Sequence, residues 1–506
     1  MFAVINSSCV EGIGGLMVSV EIDMSSGLPG FDIVGMVGNE IKEARERVRV
    51  ALKNISVELP PTKITVNLAP ANIKKRGTGF DMAIAVGILT ALGKIDNKDL
   101  DDCAFVGEMG LNGEIQFVSG ILPIAIACQK HGIKKLFVPI TNLSEGAVVE
   151  GIEVFGVNNL CEIIDHFDEC KDYSILSRSV TYEEVYSMYD RSGIPDFADV
   201  LGQDNLKRCV KVAAAGMHHM IMVGPPGAGK SMIAKRMPSI LPILTKDESM
   251  EVSGIYSVAG KLSAENPLII YRPYIAPHHT VSDNALTGGG TNPKPGVISL
   301  SHRGVLFLDE LPHFGRNAIE ALRQPLEDKE VTISRVAGNY TYPADFMLIG
   351  AMNPCPCGYY PDSSKCRCSE AQISKYLSKI SGPFVDRIDI CATALAVKPH
   401  KLKGKKTESS ADMLVSIEKA RSVQKERYKG TGYKFNSEVQ GKDVEKYCIV
   451  DNEGMAYLDK VYDRLRLSAR SYHKTLKVAR TIADLDGKEI IDKESINEAL
   501  SYRWNY

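Results

Sequence analysis

The sequence has 506 residues, of which 44% are hydrophobic and 24% are charged, and its 60 lysines and arginines nearly balance 62 aspartates and glutamates. A net charge of −2 excludes a histone-like polycation, so any contact with nucleic acid must come from local basic patches. Twelve cysteines are too few for a disulfide scaffold in a chain of this length. Because neither a signal-peptide pattern nor a bilayer-spanning apolar run is found, we expect a cytoplasmic protein without membrane contact. The length predicts roughly two to four domains.

The first block of the chain, residues 1–170, alternates short β-like runs with helical stretches. Strands are predicted at residues 16–22, 63–68, 135–139 and 153–157, and the two clearest helices at residues 36–54 and 81–93. A polar segment, residues 171–195, follows without sustained apolar periodicity and is predicted to be a linker.

Residues 196–399 form a second block, with short and nearly continuous apolar runs at 219–223, 304–308 and 346–352. Runs of this kind, separated by helical stretches, are typical of buried parallel strands in an α/β sheet. The last block, residues 400–506, has helical periodicity and few β-branched runs. The basic excess at its start fits a solvated helix face.

A phosphate-binding loop is the strongest signal in the sequence. The pattern G-x-x-x-x-G-K-[ST] is matched at every fixed position by the run Gly224, Pro225, Pro226, Gly227, Ala228, Gly229, Lys230 and Ser231. The run follows an apolar strand and precedes a helix-compatible stretch, which is the context that this motif requires. Glycines let backbone N–H groups turn toward phosphate oxygens, Lys230 would reach the β- and γ-phosphates, and the Ser231 hydroxyl would ligate Mg²⁺. The loop therefore predicts a site for a nucleoside triphosphate with Mg²⁺.

Two further strand ends carry polar residues. Asp309 and Glu310 follow the apolar run at 304–308, where Asp309 would hold Mg²⁺ through water and Glu310 would polarise the attacking water. Taken alone, such a pair also fits a turn with a helix N-cap. The run at 346–352 ends at Asn353, which could orient the same water, although a lone Asn at a strand end is usually a turn former. Their position downstream of a phosphate-binding loop favours a nucleotide-hydrolysing site.

The order of these three elements resembles that of the AAA+ ATPases. Longer motifs narrow the resemblance to the YifB/ComM family, whose members are similar to the ATPase subunit of magnesium chelatase. These motifs are residues 272–280 (RPYIAPHHT), 288–290 (GGG), 308–312 (LDELP), 322–328 (LRQPLED) and 351–358 (AMNPCPCG). The resemblance spans nearly the whole chain. It implies an ATP-hydrolysing α/β protein with an AAA+ P-loop αβα core in residues 196–399 and a C-terminal helical lid in residues 400–506.

The resemblance also assigns roles to two arginines. Arg387 matches the position of an arginine finger offered to the γ-phosphate of a neighbouring subunit, and Arg470 matches the start of the lid helix known as sensor 2. A finger supplied in trans is worth about 10³–10⁵ in rate in other NTPases, because it stabilises charge on the transferring phosphoryl group. Judged without the resemblance, either arginine fits a surface salt bridge. A finger in trans requires a ring, and the family implies a homo-hexamer.

Four cysteines form two closely spaced pairs in the segment after Asn353, namely Cys355 with Cys357 and Cys366 with Cys368. Four thiolates on a loop rich in Gly, Pro and Ser suit a tetrahedral Zn²⁺ site, whose role would be structural because four protein ligands leave no open position for water. Reduced thiols or a redox disulfide remain alternatives. We expect the other eight cysteines to be buried apolar residues.

Residues 1–170 resemble the Lon-protease-like domain that precedes the ATPase in this family, an α+β fold of the ribosomal-S5-domain-2 type. The matching stretches are residues 75–81 and 106–115. Lon peptidases use a Ser nucleophile and a Lys base, and the aligned positions here are Gly79 and Leu122. Neither side chain can attack a carbonyl or accept a proton, so we expect the fold without the peptidase chemistry.

Two functions remain open for the motor. The first is a DNA-remodelling ring, because named relatives in the family drive branch migration during recombination of incoming DNA. In such rings loops project into the pore, and here these would be residues 271–293 and a predicted hairpin at 331–342 with a turn at 337–339. The second is a chelatase-like or protein-remodelling ATPase that acts on a separate protein partner.

Several basic side chains are candidates for contacts with DNA phosphates, each of them individually weak. The basic run at 74–76 is one, although three adjacent basic residues are more often simply solvated. The candidates near the two loops are Lys294, Arg303, Arg316, Arg335, His278 and His279. Stimulation of ATP hydrolysis by single-stranded or branched DNA would distinguish the two functions.

Overall fold

The structure is a computed structural model that describes residues 1–189, 193–290, 293–335, 338–396, 407–465 and 468–504. Within these ranges the chain forms an N-terminal α/β unit, a parallel α/β core and a C-terminal group of helices. None of the described helices has the length and apolar character needed to cross a bilayer.

An eight-stranded mixed sheet organises the N-terminal unit. At its centre, Phe2–Glu11 pairs antiparallel with Gly14–Ser25 along its whole length. The helix Asp81–Ala91 packs on this pair, and all of its residues are buried. The run is apolar except for Asp81, which pairs with Arg47, and Thr90, whose hydroxyl donates to a backbone oxygen of the same helix. In spatial order the strands are Ser177–Arg178, Glu153–Val157, Lys135–Pro139, Cys103–Phe105, Phe2–Glu11, Gly14–Ser25, Lys63–Ala69 and Gly30–Val34. The helices are Asn39–Asn54, Asp81–Ala91, Ile121–Lys130, Leu143–Gly146 and Leu160–His166, and the 3₁₀ turns are Asn97–Leu100 and Ile140–Asn142.

The segment 171–195, predicted as a linker, contains regular structure. Ser177–Arg178 adds a short edge strand to the N-terminal sheet. Tyr182–Met188 is a helix that begins at a capping box, and its first tyrosine donates a hydroxyl hydrogen bond to the backbone oxygen of Leu244 in the core. A seven-residue helix is too short to show a clear apolar periodicity in the sequence, which is why the segment was predicted to be a linker.

Five parallel strands form the sheet of the core. In spatial order they are Tyr274–Ile275, Val305–Leu308, Met347–Met352, Met220–Val223 and Ile390–Thr393. Because the strands are parallel, their carboxyl ends meet at one edge of the sheet. Met347–Met352 lies between Met220–Val223 and Val305–Leu308, so the residues that follow these three strands are neighbours.

Apolar side chains from both faces of this sheet are covered by helices and short hairpins. The helices are Asp204–Gly216, Lys230–Ala234, Met237–Ile240, Lys246–Val258, Asp283–Thr287, Val297–Leu300, Arg316–Ala321, Arg323–Asp328, Glu370–Leu377 and Gly382–Val385. The hairpins pair Gly288–Gly289 with Lys294–Pro295 and Glu330–Arg335 with Gly338–Pro343. The predicted hairpin at 331–342 is thus confirmed. The turn predicted at 337–339 is wrong for Gly338 and Asn339, which pair with Arg335 and Ser334 in the strand ladder, and residue 337 lies outside the described residues.

The C-terminal helices pack on one face of the core sheet, where Met413, Ile417 and Leu476 join the same apolar cluster as Met220 and Met222. These helices are Ser410–Arg427, Asp443–Tyr447, Asn452–Leu465, Ala469–Leu485 and Lys493–Ser501. The predicted helical character of the last block is confirmed over the described residues.

The N-terminal unit is attached to the core through the end of the helix Lys246–Val258. The Ser257 backbone oxygen accepts the Gly120 N–H at 3.0 Å, and the Ser257 hydroxyl donates to the buried carboxylate of Glu145. Burial raises the pKa of Glu145 because desolvation penalises its charged form. The attachment is therefore a buried polar contact in which each partner is hydrogen-bonded.

Candidate functional site

The phosphate-binding loop, residues 224–231, joins the strand Met220–Val223 to the helix Lys230–Ala234. Gly227 and Gly229 have φ angles of 74° and 84°. Residues with a side chain rarely adopt this backbone conformation, so the loop requires glycine at both positions. The strand, loop and helix predicted from the sequence are confirmed.

Lys230 is the one charged residue of this loop, and its side chain is buried. Its Nζ donates to the backbone oxygens of Gly224 and Pro225 at 2.7 and 3.0 Å, and to Asn353 Oδ1 at 3.2 Å. Burial lowers the pKa of Lys230 by penalising the ammonium form. Because these three acceptors are neutral, the charge is available to a phosphate group.

Asp309 follows the strand Val305–Leu308 at the same edge of the sheet. The Ser231 hydroxyl donates to Asp309 Oδ2 at 2.6 Å, and Asp309 Oδ1 accepts the backbone N–H of Glu310 at 2.9 Å. Hydroxyl and carboxylate oxygens are ligands that Mg²⁺ prefers. The donor set therefore fits a Mg²⁺ ion bound together with a nucleotide.

The carboxylate of Glu310 is exposed and makes no capping hydrogen bond to the 3₁₀ turn Leu311–His313 that it precedes. This observation disfavours the alternative in which Glu310 is a helix cap. The His279 ring lies 3.8 Å from the Glu310 carboxylate. This neighbour was not foreseen as part of the site, and the only signal for it is its place in the 272–280 motif.

Asn353 follows the strand Met347–Met352 and lies against the phosphate-binding loop, since its Oδ1 accepts the hydrogen bond from Lys230. The strand order explains why, because this strand separates the two strands that end at the loop and at Asp309. The structure thus brings the predicted lysine, serine, carboxylates and asparagine to one edge of the sheet.

Arg387 and Arg470 are also brought together, but in a different cleft. Both guanidinium groups bind Glu327, with N···O distances of 2.7 Å for Arg387 and 2.9 Å for Arg470. The cleft has a volume of about 700 Å³, and no residue of the phosphate-binding loop lines it. The two arginines therefore line a cleft to which the phosphate-binding loop of the same chain contributes no residue.

Two residues that support these arginines were not predicted. Glu327 lies within the 322–328 motif. The motif indicates that this segment matters in the family, but it does not predict that Glu327 pairs with the two arginines. Lys474 donates to the backbone oxygen of Ile388 at 2.7 Å and so fixes the end of the segment that carries Arg387. We find no sequence signal for Lys474, because its role depends on packing between the core and the C-terminal helices.

The four clustered cysteines face one another, and all of their sulfur atoms lie within 4.8 Å of each other. The Sγ of Cys355 is 3.4 Å from that of Cys357 and 3.8 Å from that of Cys366, while Cys357 and Cys366 are 3.6 Å apart. A tetrahedral Zn²⁺ with Zn–S bonds of about 2.3 Å needs S···S separations of about 3.8 Å. The four cysteines are free thiols, and their arrangement could hold a metal ion.

The cysteine loop, residues 353–368, packs on the phosphate-binding loop. Gly358 has a φ of 86°, and a Cβ at this position would lie 2.5 Å from Pro226 Cδ and 3.7 Å from Asn353 Cγ. No side chain fits in this space. The candidate metal site and the candidate nucleotide site therefore share a packed boundary.

The expectation that the other eight cysteines are buried is wrong for two of them. Cys161 and Cys170 are exposed, whereas the remaining six are buried. Cys161 lies on the solvent side of the short helix Leu160–His166, and Cys170 lies in the polar segment that follows it. Neither position has apolar neighbours on all sides that would enclose a thiol.

Neither of the two positions aligned with the Lon catalytic pair carries a catalytic group. A Cβ on Gly79 would lie 3.2 Å from Val106 Cγ1 and 3.4 Å from Val118 Cγ1. Leu122 is fully buried, and its backbone N–H donates to Glu145 at 3.1 Å. Leu122 supplies neither a base nor a proton acceptor, and Gly79 no nucleophile.

Two basic candidates are not available for phosphate contacts. Lys75 is fully buried, and its ammonium group donates to the backbone oxygens of Gly35 and Pro70, so the 74–76 run is not simply solvated. Arg303 forms ion pairs with Asp345 and Glu251 at 2.6 and 3.1 Å. Lys294, Arg316 and His278 are exposed, and His279 is half-buried. The side chain of Arg335 lies outside the described residues.

Comparison with known proteins shows which family the chain resembles. Three protein-family models match the chain: "Magnesium chelatase, subunit ChlI" over residues 196–402, "Subunit ChlI of Mg-chelatase" over residues 20–142, and "Magnesium chelatase, subunit ChlI C-terminal" over residues 407–503. Competence protein ComM of Haemophilus influenzae is 39% identical over 504 residues, which cover 99% of this chain and 97% of the relative. The chain belongs to the ComM/YifB family.

Other relatives extend the comparison. The uncharacterised protein YifB of Escherichia coli is 36% identical over 504 residues, with 99% of this chain and 97% of the relative covered. The chloroplastic magnesium-chelatase subunit ChlI of Nicotiana tabacum is 24% identical over 326 residues, which cover 59% of this chain and 70% of the relative. Membership of the ComM/YifB family, with its magnesium-chelatase-like AAA+ core, suggests an ATPase and implies ATP and Mg²⁺ as ligands.

Proposed function

We propose that this protein is the subunit of an ATP-hydrolysing AAA+ ring that remodels DNA. The observation that carries the ATPase proposal is the convergence of Lys230, the Ser231–Asp309 pair and Asn353 at the carboxyl edge of one parallel sheet. Such convergence is the arrangement that phosphoryl transfer requires, because the protein contributes positioning and electrostatic stabilisation rather than covalent chemistry.

The role of each side chain follows from its chemistry. Residues 224–231 hold the phosphates, with Lys230 on the β- and γ-phosphates, while Ser231 and Asp309 hold Mg²⁺. A Mg²⁺ ion held by these two residues would neutralise negative charge on the phosphates. Glu310 polarises the attacking water, and Asn353 orients that water from the phosphate-loop side.

The arginine cleft belongs to a subunit interface in this proposal. Arg387 acts as a finger on the γ-phosphate held by the next subunit, and Arg470 contacts nucleotide from the lid. The separation of this cleft from the loop of the same chain supports action in trans for Arg387. Because each site then needs two chains, the active form is a closed ring, which we propose to be a homo-hexamer.

The domain organisation is part of the same proposal. Residues 1–170 are a Lon-protease-like domain without peptidase residues, residues 171–195 connect it to the core, residues 196–399 are the ATPase core, and residues 400–506 are the helical lid. The cysteine loop holds a structural Zn²⁺ that fixes the segment after Asn353, which is supported by the near-tetrahedral spacing of its sulfur atoms.

DNA is the proposed substrate for two reasons. The relative ComM is named a competence protein, and the hairpin at 330–343 stands beside exposed Lys294 and the half-buried Arg76, which offer positive charge outside the nucleotide site. The second candidate, remodelling of a protein partner, is favoured by the match to magnesium-chelatase subunits.

The experiment is an ATP-hydrolysis assay with no polymer, with single-stranded DNA, with branched DNA and with an unfolded polypeptide. We expect slow basal hydrolysis that DNA stimulates several-fold. Glu310→Gln protein, with turnover lower by roughly 10²–10⁴-fold, controls for contaminating ATPases. Stimulation by the polypeptide but not by DNA would replace the DNA proposal with the second candidate.

A further inference from the structure

A cleft of about 410 Å³ lies between the N-terminal unit and the core, away from the phosphate-binding loop. The N-terminal unit contributes residues 76–80 and 117–119 to its walls, and the core contributes residues 258–260, 293–294 and Tyr340. Clefts between structural units are common positions for binding sites. The functions assigned above to the nucleotide, arginine and cysteine sites leave this cleft unexplained.

In the core wall of the cleft, a hydrogen bond joins the hairpin to the residue before Lys294. Tyr342 is fully buried, and its hydroxyl donates to the backbone oxygen of Pro293 at 2.8 Å. Because side chains two residues apart on a strand share a face, Tyr340 lies on the same side of the hairpin as Tyr342. The exposed Lys294 and the partly buried Tyr340 both line this wall of the cleft.

The N-terminal wall presents matching groups. The guanidinium carbon of Arg76 lies 6.0 Å from the centre of the Tyr340 ring, so it bridges the two walls. Lys74 is exposed at the rim, and the Phe117 ring is 44% exposed although it is apolar. An exposed aromatic ring beside a positively charged cleft can stack on a planar group of a bound ligand.

The cleft has fewer acidic groups than basic ones, and one of its carboxylates already accepts a hydrogen bond. Glu108 accepts a hydrogen bond from the Thr78 hydroxyl, while Glu11 stands exposed at the rim. Among the residues that the structure describes, three cations and two carboxylates therefore line the cleft, with the cations on both walls. The excess of positive charge favours an anionic ligand. The aromatic rings favour a ligand whose nucleobases can stack on them.

We propose that this cleft binds a segment of single-stranded DNA, with its phosphates on Lys74, Arg76 and Lys294 and one base stacked on Tyr340. The proposal rests on the DNA-remodelling function proposed above and assigns its strand-binding site. A basic groove with aromatic stacking platforms is the general mode by which proteins bind single strands without sequence preference. Because the hairpin and the N-terminal unit both line the cleft, the strand contacts both parts of the chain at once.

The first test measures binding of a fluorescein-labelled 15-nucleotide oligo-dT by anisotropy over a series of salt concentrations. The double variant Lys74→Gln with Lys294→Gln removes two charges from opposite walls. We expect the affinity to fall about tenfold or more, and the slope of log K against log salt to become shallower by about 1.4, which is 0.7 for each lost phosphate contact.

The matched control is the double variant Lys42→Gln with Lys53→Gln. Both lysines are exposed on the helix Asn39–Asn54 of the same N-terminal unit, and neither lines the cleft. This control makes the same change in net charge, so its affinity and its salt slope should match those of the unchanged protein within error. Basal ATP hydrolysis without DNA should be the same in both double variants, which shows that they fold.

A second variant tests the stacked base. Tyr340→Leu should weaken binding of oligo-dT by about fivefold or more, because stacking of one base on an aromatic ring is lost, and it should leave the salt slope unchanged. An abasic oligonucleotide of equal length has no base to stack, so the Tyr340→Leu and unchanged proteins should bind it equally.

The outcomes separate the two proposals. If the unchanged protein binds DNA and the Lys74→Gln, Lys294→Gln variant keeps the same affinity and slope, the cleft is not the strand site, and the DNA function stands. If the unchanged protein binds no DNA at 50 mM salt, where electrostatic binding is strong, both the DNA function and this site are overturned.

Discussion

At the scale of single residues, Lys230 carries the charge of the phosphate-binding loop. Replacing Lys230 with Ala should reduce ATP binding below detection, because no other side chain in residues 224–231 brings charge to the phosphates. The measurement is the change in fluorescence of a labelled ATP analogue on titration with protein. Lys235→Ala is the matched control, since Lys235 is exposed at the end of the same helix and should leave binding unchanged. Tight binding by the Lys230→Ala protein would contradict the assignment of the loop.

Glu310 should separate binding from hydrolysis. Glu310→Gln keeps the size and the polarity of the side chain but removes the base, so ATP should bind normally while turnover falls by roughly 10²–10⁴-fold. Single-turnover hydrolysis under saturating ATP measures the loss. Glu265→Gln changes an exposed carboxylate away from the site and should turn over ATP at the normal rate. Near-normal turnover by Glu310→Gln would leave Glu310 without a catalytic role.

Residue identities at the site could be predicted where a strand, a loop and a short motif coincide, as for Lys230, Asp309 and Asn353. Contacts between distant parts of the chain could not. The ion pairs of Glu327 with Arg387 and Arg470 join the core to the C-terminal helices, and no local pattern encodes such a pairing. The burial of Lys75 follows from a contact of the same kind, because one of its two partners, the backbone oxygen of Gly35, lies 40 residues away in the chain.

At the scale of elements, the cysteine loop should hold a metal. We expect about one Zn²⁺ per chain in protein purified under reducing conditions, because four thiols at near-tetrahedral spacing form a closed site. Elemental analysis measures the content, and Cys357→Ser should lower it strongly. Cys161→Ser, which changes an exposed thiol elsewhere, should not. Absence of metal, together with four freely titratable thiols in the cluster, would identify the loop as reduced cysteines only.

Strands that are buried on both faces were the easiest elements to predict, because continuous apolar runs mark them. The strand Phe2–Glu11 is absent from the prediction although it lies at the centre of a sheet. Its polar residues Ser7 and Ser8 interrupt the apolar pattern, yet both are buried because their hydroxyls donate to the backbone oxygens of Phe105 and Leu16 at 2.8 and 2.9 Å. Hydrogen bonds of this kind allow polar residues to be buried in a core. A hydropathy pattern cannot identify such residues as buried.

At the scale of the whole molecule, the position of Arg387 can be tested by mixing inactive subunits. Lys230→Ala chains keep their own Arg387, and Arg387→Ala chains keep their own phosphate-binding loop. If the finger acts in trans, a mixed ring contains interfaces with one intact copy of each, and ATP hydrolysis should partly recover. Turnover is measured after the two proteins are shown to assemble together.

A second mixture controls for the first. Lys230→Ala and Glu310→Gln both disable the same half of the site, so no interface between them is complete and no recovery is expected. Arg387→Ala chains that stay inactive despite assembling with Lys230→Ala chains would remove Arg387 from the residues that act across the interface.

The packing of Gly358 against Pro226 has a consequence for how the sequence can change over evolutionary time. A substitution that adds even one methyl group at position 358 would need the phosphate-binding loop to retreat, because the new carbon would lie 2.5 Å from Pro226 Cδ. Sequence change in the cysteine loop is therefore constrained by the phosphate-binding loop, although the two loops are far apart in the chain. A lineage that loses the cysteines would still have to keep the glycine, and one that remodels the glycine would have to rebuild the loop that contacts it.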